Sequence, residues 1–398
     1  MAGMGGYVYD FNEGGRDMAE LLGSKGANLA EITSMGLPVP PGFTITAEAC
    51  RVFLATGEPP EGLDREVSEH LATLERAAGK RLGQVDDPLL LSVRAGAEAG
   101  RSVPGTMETI LDIGLNDLSV LGLARMPDRD RFGWDSYRRL VQMFGSTVMG
   151  VESSMFEDVL RRIKAQHRVA DASQLDTCDL IRVVETFKDL ILERTGRAFP
   201  QDPAEQLRQA VLTAFQSGTA VTVQSMVFGN CGADSGSGVV FGRDPATGRP
   251  GLYGNYLPNA QGEDVVSGGP GTLPLQELAA LDPASRDRLF RYMEQLEEHY
   301  RDVCDIEFTI EHGTLWLLET HVGQHLTEED ASGGPSARST ARRPGSSRPA
   351  TTGAPSSHGR DREPTGPLGG TDRPMRDRGP WAQPGGDPFP RSNERPHS

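Results

Sequence analysis

Between Asp305 and Ile310 apolar and polar positions alternate without a break. Ile306, Phe308 and Ile310 fall on one side of an extended strand, and Asp305, Glu307 and Thr309 on the other. Glu311-His312-Gly313 suits a three-residue turn with Gly313 left-handed, which pairs Ile310 with Thr314. That register sets Asp305 opposite Glu319 and Glu307 opposite Leu317. It gathers Asp305, Glu307, Glu319 and His321 on one face, and adds Trp316 and Leu318 to the apolar face. A two-residue turn would instead put Glu307 and Glu319 on opposite faces.

Elsewhere the pattern predicts mixed α and β structure. A helix is expected from about Lys25 to Met35, with Leu29 and Ile32 inward, Gly36 as its stop and Pro38 just beyond. GFTIT reads as a strand, and Thr46 as the N-cap of a helix through Phe53. PLLLSVRA is an apolar run of strand length that ends in Arg94, as expected of a strand covered on both faces. Residues from about 114 to 215 carry helical periodicity. VTVQSMVF, SGVVF and GLYGNY return to strand-like sequence. SRDRLFRYMEQLEEHYRD spaces Leu289, Met293, Leu296 and Tyr300 as one helical face. From residue 326 the periodicity stops, and Pro, Gly, Ser, Thr, Arg and Ala dominate. Such a segment buries too little apolar surface to offset its ordering entropy, so 326–398 is expected to be a disordered tail.

Charge narrows the function classes. A net charge of −16 argues against a general nucleic-acid binder and against a polybasic membrane anchor. Neither a secretory pattern at the start nor a run of about 18 apolar residues occurs, so a soluble, cytoplasmic protein is expected. Cys50, Cys178, Cys231 and Cys304 lie far apart with no CxxC, which fits free thiols. Lysine occurs only at 25, 80, 164 and 188, so each one is a candidate.

Several stretches could bind an anion or a metal. In GNCGADSGSGVVFGRDPATG (229–248), Gly229, Gly232, Gly236 and Gly238 could turn backbone N–H groups inward, with Ser235 and Ser237 as hydroxyl donors; a plain hairpin loop is the competing reading. GSKG puts Lys25 at a helix start, where free N–H groups and the macrodipole favour an anion. Arg94, followed by the glycine-containing GAEAGRSVPGTME, suits a phosphate or a structural carboxylate. NAQGEDVVSGG offers Gln261, Glu263 and Asp264 for a sugar hydroxyl, a metal or a strand cap. Like charges across the hairpin need something positive between them, and oxygen ligands clustered without a lysine point to Mg²⁺ or Mn²⁺.

The words GSKGANLAEITSMGLPVPPGFTIT, LLLSVRAGA, PGTMETILDIGLND, DSYRRLVQMFG, FPQDPAEQL, VQSMVFGN, DSGSGVVF, NAQGEDVV and DIEFTIEHGTLWLLET resemble the amino-terminal nucleotide-binding domain of the pyruvate phosphate dikinase family. The resemblance covers residues 7 to about 325. It implies an α/β (α+β) ATP-grasp domain with a helical insert and a disordered tail after it. The first ATP-grasp subdomain is expected in 1–113 with 216–225, the mainly helical one in 114–215, the second in 226–325 and the tail in 326–398. It further implies ATP with Mg²⁺ (or Mn²⁺), and a phosphotransferase that phosphorylates a histidine on a separate domain, here supplied in trans. Carried over by motif position, Lys25 and Arg94 are phosphate contacts. Gly105 and Thr106, with the loop Gly236, Ser237 and Gly238, cover the phosphates. Gln224 lies near the adenine, Glu263 near the nucleotide or metal, and Glu307, Glu319 and Asp305 form the metal edge. Arg94 and His321 are the catalytic candidates. His321 stands where the family has arginine, and Glu319 where it has glutamine. A neutral histidine there would weaken the phosphate clamp by about 2.7–4 kcal/mol. The carrier-histidine domain and the pyruvate-binding barrel fall outside these residues, so this chain alone is not expected to complete the reaction. The alternatives are a non-catalytic, regulatory nucleotide-binding module and a truncated or frameshifted product.

Overall fold

The computed structural model describes residues 6–96, 109–125, 129–245, 247–266 and 271–323, all within one compact unit. Gly105, Thr106 and the segment from 324 onward lie outside the described residues.

Two five-stranded sheets, antiparallel at every pairing, organise the described residues. The first contains β1 (Val8–Asp10), β2 (Gly42–Ile45), β3 (Leu91–Ala95), β4 (Thr109–Ile113) and β5 (Val221–Ser225), in the order β1-β2-β5-β3-β4. The second contains β6 (Gly236–Arg243), β7 (Pro250–Pro258), β8 (Leu273–Pro274), β9 (Cys304–Glu311) and β10 (Thr314–Val322), in the order β10-β9-β6-β7-β8. With these strands go α1 (Ala19–Ser34), α2 (Ala47–Thr56), α3 (Leu63–Ala78), α4 (Ser119–Ala124), α5 (Asp130–Thr147), α6 (Ser153–His167), α7 (Thr177–Thr195), α8 (Pro203–Ala214), α9 (Gly262–Val266), α10 (Leu278–Leu281) and α11 (Pro283–Tyr300). Helix starts follow local chemistry. Thr46, Asp176, Asp202 and Asp282 each accept a backbone N–H at a helix start, and Pro203 and Pro283 open α8 and α11.

Each sheet has its own apolar core. Phe43, Leu91, Val93, Ile110 and Val223 of the first sheet pack with Tyr137, Phe144 and Phe187 from α5 and α7. Ile306, Phe308, Ile310, Leu315 and Leu317 of the second pack with Leu289, Met293 and Leu296 of α11. Full burial of side chains of this size stabilises by about 1.5–3 kcal/mol each. Helix α1 joins the two: its Leu29 and Ile32 belong to the second core, while Gly26 lies against β2 of the first sheet. A Cβ at 26 would come within 2.7 Å of the Thr44 side chain, so that approach needs glycine.

The β9–β10 hairpin corrects the predicted register. Its turn has two residues, His312 and Gly313, both with positive φ (47° and 69°), and Glu311 pairs with Thr314. Taken alone, that turn would send Glu319 to the core face. A β-bulge between Leu317 and Glu319 adds one residue and reverses the alternation, so Glu319 pairs with Glu307 and His321 with Asp305. At the bulge the Leu317 N–H donates to the Pro38 carbonyl at 2.8 Å. Leu315 and Leu317, rather than Trp316 and Leu318, therefore fill the core. The acidic face expected from sequence exists, but a bulge and not the turn length produces it.

Candidate functional site

Helix α1 is broken at Gly23 (φ 69°, ψ 166°), so a fresh helical start falls at Ser24 and Lys25 stands in its first turn. Glycine adopts that φ freely, whereas other L-residues lose about 1–2 kcal/mol. Lys25 Nζ donates to Glu319 Oε2, which links α1 to β10. Asn28 Nδ2, one turn on, donates to the Thr320 carbonyl at 3.4 Å. Arg94, on β3, brings Nη1 to 3.9 Å from the same Glu319 oxygen, and its buried Nε has no partner among the described residues. His321 Nδ1 lies 2.8 Å from Asp305 Oδ2 and its Nε2 lies 3.4 Å from Glu319 Oε1. Three elements that are distant in sequence thus bring Lys25, Arg94 and His321 around one carboxylate.

The electrostatics correct the expectation of a neutral histidine. Both ring nitrogens of His321 face carboxylate oxygens, and each must donate. Burial opposes the charged ring, but the hydrogen bonds and charges of Asp305 and Glu319 outweigh it and raise the His321 pKa to about 10. His321 is an imidazolium at neutral pH. Burial also disfavours the Glu319 carboxylate, yet Lys25 and His321 beside it hold its carboxyl well below the usual range. Burial pushes Lys25 down from its ordinary value; Arg94 adds to that effect, and Glu319 and Glu307 oppose it. The hairpin carboxylates are therefore not free of lysine, as the sequence suggested; Lys25 reaches them.

Other predicted residues fall in different settings. Gly236, Ser237 and Gly238 do not form a loop but lie within β6. A Cβ at Gly236 would strike the Tyr256 hydroxyl and one at Gly238 the Phe308 ring, 2.2 and 2.6 Å away, and the Tyr256 and Phe308 rings stack with centroids 6.2 Å apart. The glycines make room for packing. Ser237 points to the Glu307 side of the sheet, its Oγ 3.0 Å from Thr309 Oγ1. Gln224, on β5, is buried and donates Nε2 to the Pro40 carbonyl at 3.1 Å. Glu263, in the first turn of α9, lies 3.5 Å from Arg139 Nη1; Asp264 lies 3.3 Å from Nη2, and Asp135 3.4 Å from Nε. Sequence reasoning assigned nothing to Arg139, Asp135 or Asp112. A carboxylate inside the apolar run TILDIGL was the signal available.

Against this geometry, the family model described as "Pyruvate phosphate dikinase, AMP/ATP-binding domain" matches residues 19–82 and 56–271. The chain belongs to this family. It is 43% identical over 342 residues to "Pyruvate, phosphate dikinase" of Clostridium symbiosum, covering 81% of this chain and 39% of that protein. It is 44% identical over 333 residues to "Pyruvate, phosphate dikinase 1, chloroplastic" of Arabidopsis thaliana, covering 79% of this chain and 34% of that one. With "Pyruvate, phosphate dikinase" of Rhizobium meliloti (strain 1021) it shares 43% identity over 361 residues, 82% of this chain and 40% of the relative. The chain thus spans about two-fifths or less of these dikinases.

For a dikinase-family nucleotide domain the donor set suits a hard divalent cation. Glu307 and Glu319 are paired directly across the hairpin, and Mg²⁺ is usually held by one or two carboxylates together with ligand phosphates. Three metal-ligating groups converge within 4.8 Å of one another at Asp10, Glu13 and His70, whereas the hairpin carboxylates are occupied by Lys25 and His321. A cation at Glu319 therefore requires Lys25 to change partner. Among the described residues no helix is long and apolar enough to cross a membrane.

Proposed function

We propose that this chain binds ATP with Mg²⁺ (or Mn²⁺) in an ATP-grasp arrangement and presents the phosphates for transfer to a histidine carried on a separate phosphotransfer domain. The observation that carries the reading is the convergence of Lys25, Arg94 and His321 on Glu319, from α1, β3 and β10. Phosphoryl transfer needs positioning and neutralisation of spreading charge more than covalent help from the protein. Lys25, in the first turn after Gly23, exchanges Glu319 for a phosphate. Arg94 offers a guanidinium whose Nε–H has no partner among the described residues, and His321 supplies a third positive charge, held in orientation by Asp305. Glu307 and Glu319 hold the metal, with Asp305 behind them; when bound, the cation neutralises phosphate oxygens. Ser237, Gln224 and Glu263 line the nucleotide side. Gly105 and Thr106 are proposed to cover the phosphates. That pyruvate is the final acceptor is inferred from the names of the relatives.

Calorimetric titration with ATP, with and without Mg²⁺, tests the reading. Binding is expected to require the metal for full affinity, and Lys25→Ala should weaken it at least tenfold, as for loss of a charge-assisted hydrogen bond of about 1.5–3 kcal/mol. No binding at millimolar nucleotide, or identical wild type and variant, overturns it.

A further inference from the structure

Asp112 is a carboxylate that the site described above does not use. It sits near the end of β4, fully buried, with a left-handed φ of 61° and neither side-chain oxygen hydrogen-bonded among the described residues. A buried, unpaired carboxylate is costly, and proteins usually retire the cost by pairing or by protonation. The charged groups whose fields act on it are Arg139, Arg138 and Asp135 from α5 and Glu263 from α9. From β3, Arg94 stands in register with Thr109, three residues away along β4. From α8 comes the neutral Gln206, whose Oε1 accepts the Gly114 N–H at 3.0 Å.

Arg139 is the counterpart. Its guanidinium spans three carboxylates, all at 3.3–3.5 Å, and two of them, Glu263 and Asp264, belong to the partly exposed turn that opens α9. Arg138 takes Asp135 more closely, at 2.8 Å, and also reaches Gln142 at 3.0 Å. Arg139 is thus shared between Asp135 of its own helix and a partly exposed turn, while on β4, the strand packed against α5, the wholly buried Asp112 has neither oxygen hydrogen-bonded among the described residues.

We propose that Asp112 is a second seat for Arg139, and that Arg139 moves from the Glu263–Asp264 turn to Asp112 when that turn engages a nucleotide. The inference rests on the nucleotide reading above and assigns Asp112 and Arg139 as positioning residues for Glu263. One consequence concerns protons. In the structure as it stands, burial first, and then the nearby carboxylates Glu263 and Asp135, raise the Asp112 pKa to about 8 against the pull of Arg139 and Arg138. A guanidinium seated directly on Asp112 favours its charged form, so nucleotide binding near neutral pH drives a proton from Asp112 into solvent.

Calorimetry of Mg–ATP binding at pH 7, in buffers of different ionisation enthalpy, counts that proton. The wild type is expected to release up to about one proton more per nucleotide than Asp112→Asn, whose isosteric amide suits the left-handed backbone. Arg139→Gln should lose the same increment, because Asp112 then stays neutral throughout; this variant decides the matter if Asp112→Asn does not fold. Equal proton release in wild type and both folded variants overturns the inference while leaving nucleotide binding intact. Absence of binding in the wild type overturns the nucleotide reading and this inference together.

Discussion

At the scale of single residues the site is governed by which protons are held. His321, with carboxylates at both ring nitrogens, carries a positive charge that an isolated histidine would lack at neutral pH. In metal-free protein its ring resonances should titrate near pH 10 instead of near 6.5, as measured by NMR. A midpoint near the ordinary histidine value would show that the two carboxylates do not grip it as described. Asp112 gives a pH dependence of the same sign in a lower range. Its folded pKa lies above the unfolded value, so the native state holds a proton that the unfolded chain releases. Stability should therefore fall as pH rises from about 4 to about 8, by up to about 1.4 kcal/mol per pH unit from this group. Asp112→Asn should flatten that slope in denaturant melts taken across the range. The charge on His321 was not legible in sequence. It depends on Asp305 and Glu319, sixteen and two residues away, meeting both nitrogens at once, which the expected register did not provide.

At the scale of elements, local periodicity was readable and its interruptions were not. The cap at Thr46, the apolar face of α11 and the alternation in β9 follow from spacing alone. The bulge at Leu318 and the break at Gly23 depend on contacts supplied by other parts of the chain, such as Pro38 against Leu317 and Ala220 beside Gly23. Those two irregularities aim Glu319 and Lys25 at each other. Gly23→Ala should thus destabilise by about 1–2 kcal/mol and also weaken ATP binding, because relaxing φ re-aims the first turn that carries Lys25. An equilibrium melt and a titration on the same variant test both halves of that expectation. Gly238→Ala, which drives a Cβ against Phe308 and the Asn255 carbonyl, should lower stability by about 1–3 kcal/mol. Thermal unfolding in the absence of ligand reads that loss directly.

At the scale of the molecule, the two sheets are joined by α1, which contributes to one core and lies on the sheet of the other. A ligand that engages Lys25, Arg94 and the hairpin touches both halves. Mg–ATP at about a hundred times its dissociation constant should stabilise the fold by about 2.7 kcal/mol. Hydrogen exchange should slow in both α1 and β10, and slowing confined to one of them would contradict the shared site. The class of fold and most of the converging residues were legible from recognisable words in the chain, because each word holds its own local geometry. The Arg139 network was not, since its members come from β4, α5 and α9 and only folding brings them together. The ion pair between Lys25 and Glu319 has one further consequence. An anion that captures Lys25 strips a half-buried carboxylate of its counter-ion, and a cation that captures Glu319 strands a half-buried ammonium. Neither can enter cheaply alone, so under the proposed function the closed pair is expected to act as a coincidence detector that admits a metal and a polyphosphate together and turns away bare phosphate or free magnesium.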